Sequence, residues 1–213
     1  MRMPTGRIAP GASLIALIVI LSVSGCGGGK SSRFYRLSVA EAPSHSDAVL
    51  DPRAVVLVDP LIVADYVRRP QIVTVVDEFE YDLQEYHRWA EPLERSVESV
   101  MRDNLSSRLG TPAVLTGPYV RPSEADYRLS IRIERFDMDA VGHCVLEATW
   151  AFGRGGDPAH QMAQTAESRR FERTPQEEPE KGDYSTRVAA MSGLLGELSD
   201  AITETVRAYM GAR

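Results

Sequence analysis

The chain has 213 residues, with 30 acidic and 24 basic side chains, a formal charge of −6, 43% apolar residues and two cysteines. Length and apolar fraction suit one globular domain, or two small ones, with a packed core, and exclude global disorder. The acidic balance removes any general electrostatic case for nucleic-acid binding. Two cysteines are too few for a disulfide framework or a four-thiolate zinc site, and no apolar run reaches the roughly 18–20 residues that cross a bilayer.

Arg2 and Arg7 carry the early positive charge, and the first acid is Glu41. Residues 12–23 form a largely apolar run of about twelve residues, the length of a secretory leader core. The run ends in Val23-Ser24-Gly25-Cys26, which resembles the lipobox of bacterial lipoproteins. A chance cysteine beside an ordinary cleavage site is the competing reading. The resemblance implies that residues 1–25 are a signal peptide and that Cys26 carries diacylglycerol and an N-acyl chain such as palmitate. Several acyl chains hold a soluble domain at a membrane where a single chain binds only marginally. Loss of the leader removes two positive charges and no negative one from the total of −6, leaving −8. The acyl chains, and not surface charge, must then hold the domain on anionic lipid. Gly27 stands where an aspartate would signal retention in the inner membrane, so the sorting rule implies the outer membrane, periplasmic face. Residues 26–32 read as the lipidated cysteine and a flexible tether, and 33–213 as the folded domain. Gly29-Lys30-Ser31 imitates half of a phosphate-binding loop, but Ser24 stands at the required first glycine and no strand precedes it.

Within the domain, Phe34-Tyr35-Arg36-Leu37 reads as a short strand. Ala54–Val58 reads as a buried strand stopped by Asp59-Pro60, and Gln71–Val76 as another strand opened by Pro70. Glu78–Leu83 alternates as a half-exposed strand paired to its predecessor. The spacing of Leu93, Val97, Val100, Met101, Leu105 and Leu109 predicts an amphipathic helix over 91–109, with Pro92 in its first turn and Gly110 and Pro112 as its stop. Tyr127, Leu129, Ile131 and Ile133 alternate with polar residues, as do Cys144, Leu146, Ala148 and Trp150 after a turn near Gly142. The two read as an antiparallel hairpin, with a third strand around 164–173 on its far edge. Residues 174–183 are a polar, Pro-rich loop. A long helix follows over 184–210, its buried side marked by Val188, Met191, Leu194, Leu195, Leu198, Ile202 and Val206. The expectation is a single α/β (α+β) domain, a mixed β-sheet packed against two long amphipathic helices.

Arg69-Pro70-Gln71-Ile72-Val73 and Arg88-Trp89-Ala90-Glu91-Pro92-Leu93 resemble the signature of the ABC-type transport auxiliary lipoproteins. Phe34–Leu37, Arg135-Phe136, and Ala190-Met191-Ser192 with Leu198-Ser199 match in the same order. The resemblance implies a mixed sheet with helices similar to the N-terminal domain of TolB. It also implies a non-catalytic accessory of an MCE-type intermembrane lipid transport system, docking the tube- or ring-forming MCE protein at the outer-membrane end. A homo-oligomer would match the rotational symmetry of such a tube.

The chain offers little catalytic chemistry. His45, His87, His143 and His160 are scattered without ligand spacing, and His143 and Cys144 are strand neighbours that point to opposite faces. Cys144 reads as an apolar core residue. No nucleophile elbow or HExxH motif is present, so neither catalytic nor metal residues nor a cofactor beyond the lipid on Cys26 is expected. Aromatic and arginine side chains dominate protein interfaces. Tyr66, Arg68 and Arg69 in the segment 61–70, with Arg88 and Trp89 before the helix, are therefore the candidate partner interface. The competing reading is a loop folded over its own core, with Trp89 as a core plug and Arg88 pairing with Glu91 or Glu94. Two other functions remain open: a lipid carrier with its own acyl-chain pocket, and a lipoprotein activator of a cell-wall enzyme.

Overall fold

A computed structural model describes residues 31–41, 48–117, 120–156, 162–175 and 183–212. Cys26 and the tether up to residue 30 lie outside the described residues. One eight-stranded mixed sheet is built on β6 (Tyr127–Asp139). Along one side β6 pairs with β7 (Cys144–Arg154) in an antiparallel hairpin, and β7 pairs with β8 (Glu167–Arg173). Along its other side β6 takes two partners in tandem. Its first half pairs in parallel with β2 (Val56–Val63), and its last two residues pair in parallel with β3 (Gln71–Val75). Beyond β2 lies β5 (Val114–Thr116). Beyond β3 lie antiparallel β4 (Tyr81–Trp89) and then β1 (Arg33–Tyr35), parallel to β4.

The hairpin alternation holds. Leu129, Ile131 and Ile133 face the core, as do Leu146, Ala148, Trp150 and Phe152 across from them. A register shift between Ile133 and Arg135 then reverses the phase, so Phe136 and Met138 become the inward residues. A one-residue slip sends each following side chain to the opposite face. α1 (Leu93–Leu109) and α2 (Ser185–Gly211) bury the whole of their predicted apolar stripes. Arg108, almost wholly buried, joins the helices by donating from Nε to Asp200 Oδ1 at 2.7 Å. Trp150 Nε1 donates to Thr205 Oγ1 at 3.0 Å, tying α2 to the sheet. Gly110 ends α1 with φ +79°, a conformation open to glycine without steric cost.

Three local expectations are corrected. The strand does not stop at Asp59-Pro60. It passes through this cis peptide and resumes at Leu61, the ladder to β6 slipping between Val58 and Leu61, so the irregularity absorbs the missing N–H donor. The strand placed at 78–83 is Tyr81–Trp89, because Val76 and Asp77 donate to the carbonyl of Glu80 and make residues 76–80 the turn. Pro92 is the N-cap of α1, one position before its first turn.

The outer edge strand β8 is highly charged. Arg169, Arg170 and Arg173 reach Glu204, Glu147 and Glu197 at 3.3, 2.9 and 2.9 Å. At the opposite end of the sheet, β1 is fastened to the start of α2 by an aromatic group. Tyr35 Oη lies 2.8 Å from His87 Nδ1, and the His87 ring stands 4.2 Å from that of Tyr184. Burial, and then the charges of Arg33 and Arg187, hold the His87 pKa below the ordinary histidine value. The folded state therefore favours neutral His87, while the unfolded chain takes a proton near pH 6.5. This contribution to stability is complete above about pH 6.5 and declines as pH falls below it. Urea midpoints measured from about pH 8 to 5 should show that decline, and His87→Phe, which cannot titrate, should show a shallower one.

Candidate functional site

The antiparallel β3–β4 pair carries residues 68–70 and 89–94 to the same place. Trp89 donates its backbone N–H to the carbonyl of Pro70 at 2.8 Å, and Ala90 donates to that of Tyr35 at 2.7 Å. The end of β4 is thus clamped between β3 and β1 before the chain turns into α1. Between these segments lies a cleft of about 500 Å³. Trp89 and Leu93, only 6% and 2% exposed, form its apolar base.

Charge lines the walls. Arg68 donates to Asp65 Oδ1 at 2.9 Å and pairs with Glu94 Oε2 at 3.3 Å, joining the lip before β3 to the first turn of α1. Arg69 and Glu91 line the cleft exposed and without an ion pair to the described residues. The cleft therefore offers an aromatic base, an unneutralised guanidinium and an unneutralised carboxylate. That combination suits a protein surface with apolar and polar groups interleaved.

Of the five candidate interface residues, Arg68, Arg69 and Trp89 come together here. Arg88 points elsewhere: it donates from Nε to the carbonyl of Glu85 and from Nη2 to Glu85 Oε2, both at 3.0 Å. The expected pairing with Glu91 or Glu94 does not form: Arg88 binds Glu85 and Arg68 engages Glu94. Tyr66 supports the lip from beneath. Its hydroxyl donates to Asp137 Oδ2 at 2.6 Å and accepts the backbone N–H of Phe136 at 3.1 Å. Burial first, and the Asp137 carboxylate second, push the Tyr66 phenol well above its ordinary pKa. Arg135 Nε donates to both oxygens of Asp137, at 3.1 and 3.0 Å. Sequence reasoning missed this Tyr66–Asp137–Arg135 group because the partners stand about seventy positions apart. It also missed Glu91 and Glu94 as walls, because the approach of the helix start to β3 leaves no local trace in the sequence.

Cys144 is fully buried, and burial pushes its thiol up to about 12, so little thiolate forms near neutrality. Among the described residues no three His, Cys, Asp or Glu side chains are grouped to hold a metal ion.

A family model for the ABC-type transport auxiliary lipoprotein component matches residues 35–203. The chain is 23% identical over 143 residues to the intermembrane transport lipoprotein PqiC of Escherichia coli, an overlap covering 67% of this chain and 74% of that protein. Among solved structures, a Xanthomonas campestris protein superposes with a TM-score of 0.66 at 16% identity, over 85% of this chain and 99% of that one. A second crystal structure gives 0.61 at 19% identity, over 83% and 99% of the two chains. Likeness at these identities shows the shared mixed α+β architecture.

Proposed function

Because this chain belongs to the ABC-type transport auxiliary lipoprotein family, we propose that it serves an intermembrane lipid transport system as a non-catalytic docking subunit. It is an auxiliary lipoprotein of a transport system. In the proposed reading Cys26 carries diacylglycerol and an N-acyl chain, residues 1–25 are removed, and the domain from residue 33 faces the periplasm from the outer membrane. The partner is an MCE-type periplasmic protein, and the cleft between β3 and α1 receives it. Self-association into a ring that matches the partner's symmetry belongs to the same proposal.

The observation that carries the docking role is the convergence of Arg68, Arg69 and Trp89 on one cleft. A buried aromatic ring beside an unneutralised arginine is the chemistry of an interface hot spot. Four charged side chains at the walls favour a protein occupant over an acyl chain.

A photo-crosslinker placed at position 69 in cells should capture the MCE-type protein. Arg69→Glu should weaken the purified complex by about thirtyfold, corresponding to about 2 kcal/mol at a hot spot. Arg69 is exposed, so the fold should keep its urea midpoint. Capture of a cell-wall enzyme with no MCE-type protein, or an unchanged affinity, would end the docking proposal.

A further inference from the structure

Two turns stand side by side at one end of the sheet. β3 and β6 are parallel neighbours with Val75 opposite Asp139, so the β3–β4 turn and the β6–β7 turn leave the same end together. Each exposes apolar side chains. Val76 is 53% exposed, Phe79 89% and Tyr81 51% on the first turn, and Val141 is 73% exposed on the second. Of seven exposed large apolar side chains among the described residues, these four stand at the two turns, while Phe34 and Tyr86 lie farther along β1 and β4. Single exposed apolar residues are ordinary, whereas a grouped set marks a contact surface.

The strand directions relate this knob of two turns to the anchor. β1 runs parallel to β4 with Arg33 opposite His87, so the chain arrives at β1 from the side on which β4 begins. That is the side of the knob. Cys26 precedes Arg33 by seven residues, a reach of at most about 24 Å when fully extended. Tyr81 precedes His87 by six strand residues, about 20 Å. Fully extended, the tether therefore exceeds the distance from its own point of attachment to the knob by only about 4 Å, so the knob and the acyl chains can reach one membrane surface.

We infer that the paired turns are a membrane-resting foot: Phe79 and Val141 sit in the headgroup region of the bilayer that holds the acyl chains of Cys26. The inference rests on the lipid-anchor reading. Aromatic and aliphatic side chains partition into that interface. Asp77, Glu78, Glu80 and Asp82 surround Phe79 and are exposed. They select the lipid, since anionic headgroups repel them and zwitterionic ones do not. The foot would also restrict the tilt of the domain, which a single point of anchorage leaves free.

The test uses full-length lipidated protein in vesicles of phosphatidylcholine and phosphatidylethanolamine, with an environment-sensitive fluorophore on Phe79→Cys or Val141→Cys. Ser107→Cys, on the exposed side of α1, is the control, and buried Cys144 does not compete for label. The expected result is a blue shift and quenching by nitroxide-headgroup lipid at 79 and 141, with neither at 107. Quenching should decline as phosphatidylglycerol replaces phosphatidylcholine. Protein that floats with the vesicles while positions 79 and 141 remain aqueous overturns the foot and leaves the anchor standing. Shielding that develops only when an MCE-type protein is added also overturns it, assigning the knob to a protein socket. Failure to float at all removes the anchor and the foot together.

Discussion

Cys26→Ser is expected to abolish fatty-acid incorporation, leave the leader uncleaved and empty the outer-membrane fraction of this protein. Each buried methylene contributes about 0.8 kcal/mol to membrane binding, so two or three acyl chains bind a soluble domain far more firmly than one. A serine hydroxyl supplies none of that. The acidic domain has no compensating attraction to anionic lipid, because its mature charge would be −8. Labelling with radioactive palmitate, intact mass and density-gradient fractionation together report the outcome. Unlabelled parent protein, or a Cys26→Ser variant that still reaches the outer membrane, would overturn both the address and the anchoring mechanism. The purified domain should keep its urea midpoint in either form, since the residue precedes the folded unit.

Asp137→Ala should cost about 3 kcal/mol of folding stability, the lower part of the range for breaking a buried charged pair. Asp137 is only 2% exposed and accepts hydrogen bonds from both Tyr66 and Arg135. Its removal strands a half-buried phenol and a guanidinium whose side chain is about one-third exposed, which is why the lower figure applies. Tyr66→Phe keeps the ring stacked on Tyr81 but loses the donor to Asp137 and the acceptor for Phe136 N–H, at about 1–3 kcal/mol. The double variant should lose less than the sum, because both substitutions break one bond. Urea denaturation decides it, and an Asp137→Ala loss below about 0.5 kcal/mol would place this residue among inconsequential surface positions. The effect should extend to binding. Tyr66 supports the turn that ends in Arg68 and Arg69, so Asp137→Asn should weaken partner capture without touching the cleft.

The helices and the β6–β7 hairpin were legible in the sequence because their signal is local. Each apolar residue finds its neighbours within a few positions, at a period of 3.6 or 2. The sharing of β6 by β2 and β3 was not legible, since those pairings join residues more than sixty positions apart and leave no periodic trace. Val114–Thr116 is too short for any period to register. Proline normally ends a strand through its missing donor, and only the register slip against β6 shows how β2 continues past Pro60. For the cleft, the strand expected at 78–83 stopped short of Trp89, so the meeting of residues near 70 and 89 emerges only with the continuation of β4 to Trp89. The support under the cleft was hidden, because the phase reversal after Ile133 is what turns Asp137 towards Tyr66.

The charged rim of β8 has a consequence for life on a surface. Proteins confined to a plane meet one another far more often than in free solution, and an open row of backbone donors and acceptors invites neighbouring copies to zip together. Here the outermost row is fenced by Arg169, Arg170 and Arg173 in partnership with glutamates from β7 and α2. A newcomer strand would have to lay its own side chains beside this charged row. Crowded copies can therefore slide past one another along this flank, leaving other faces to decide which encounters last.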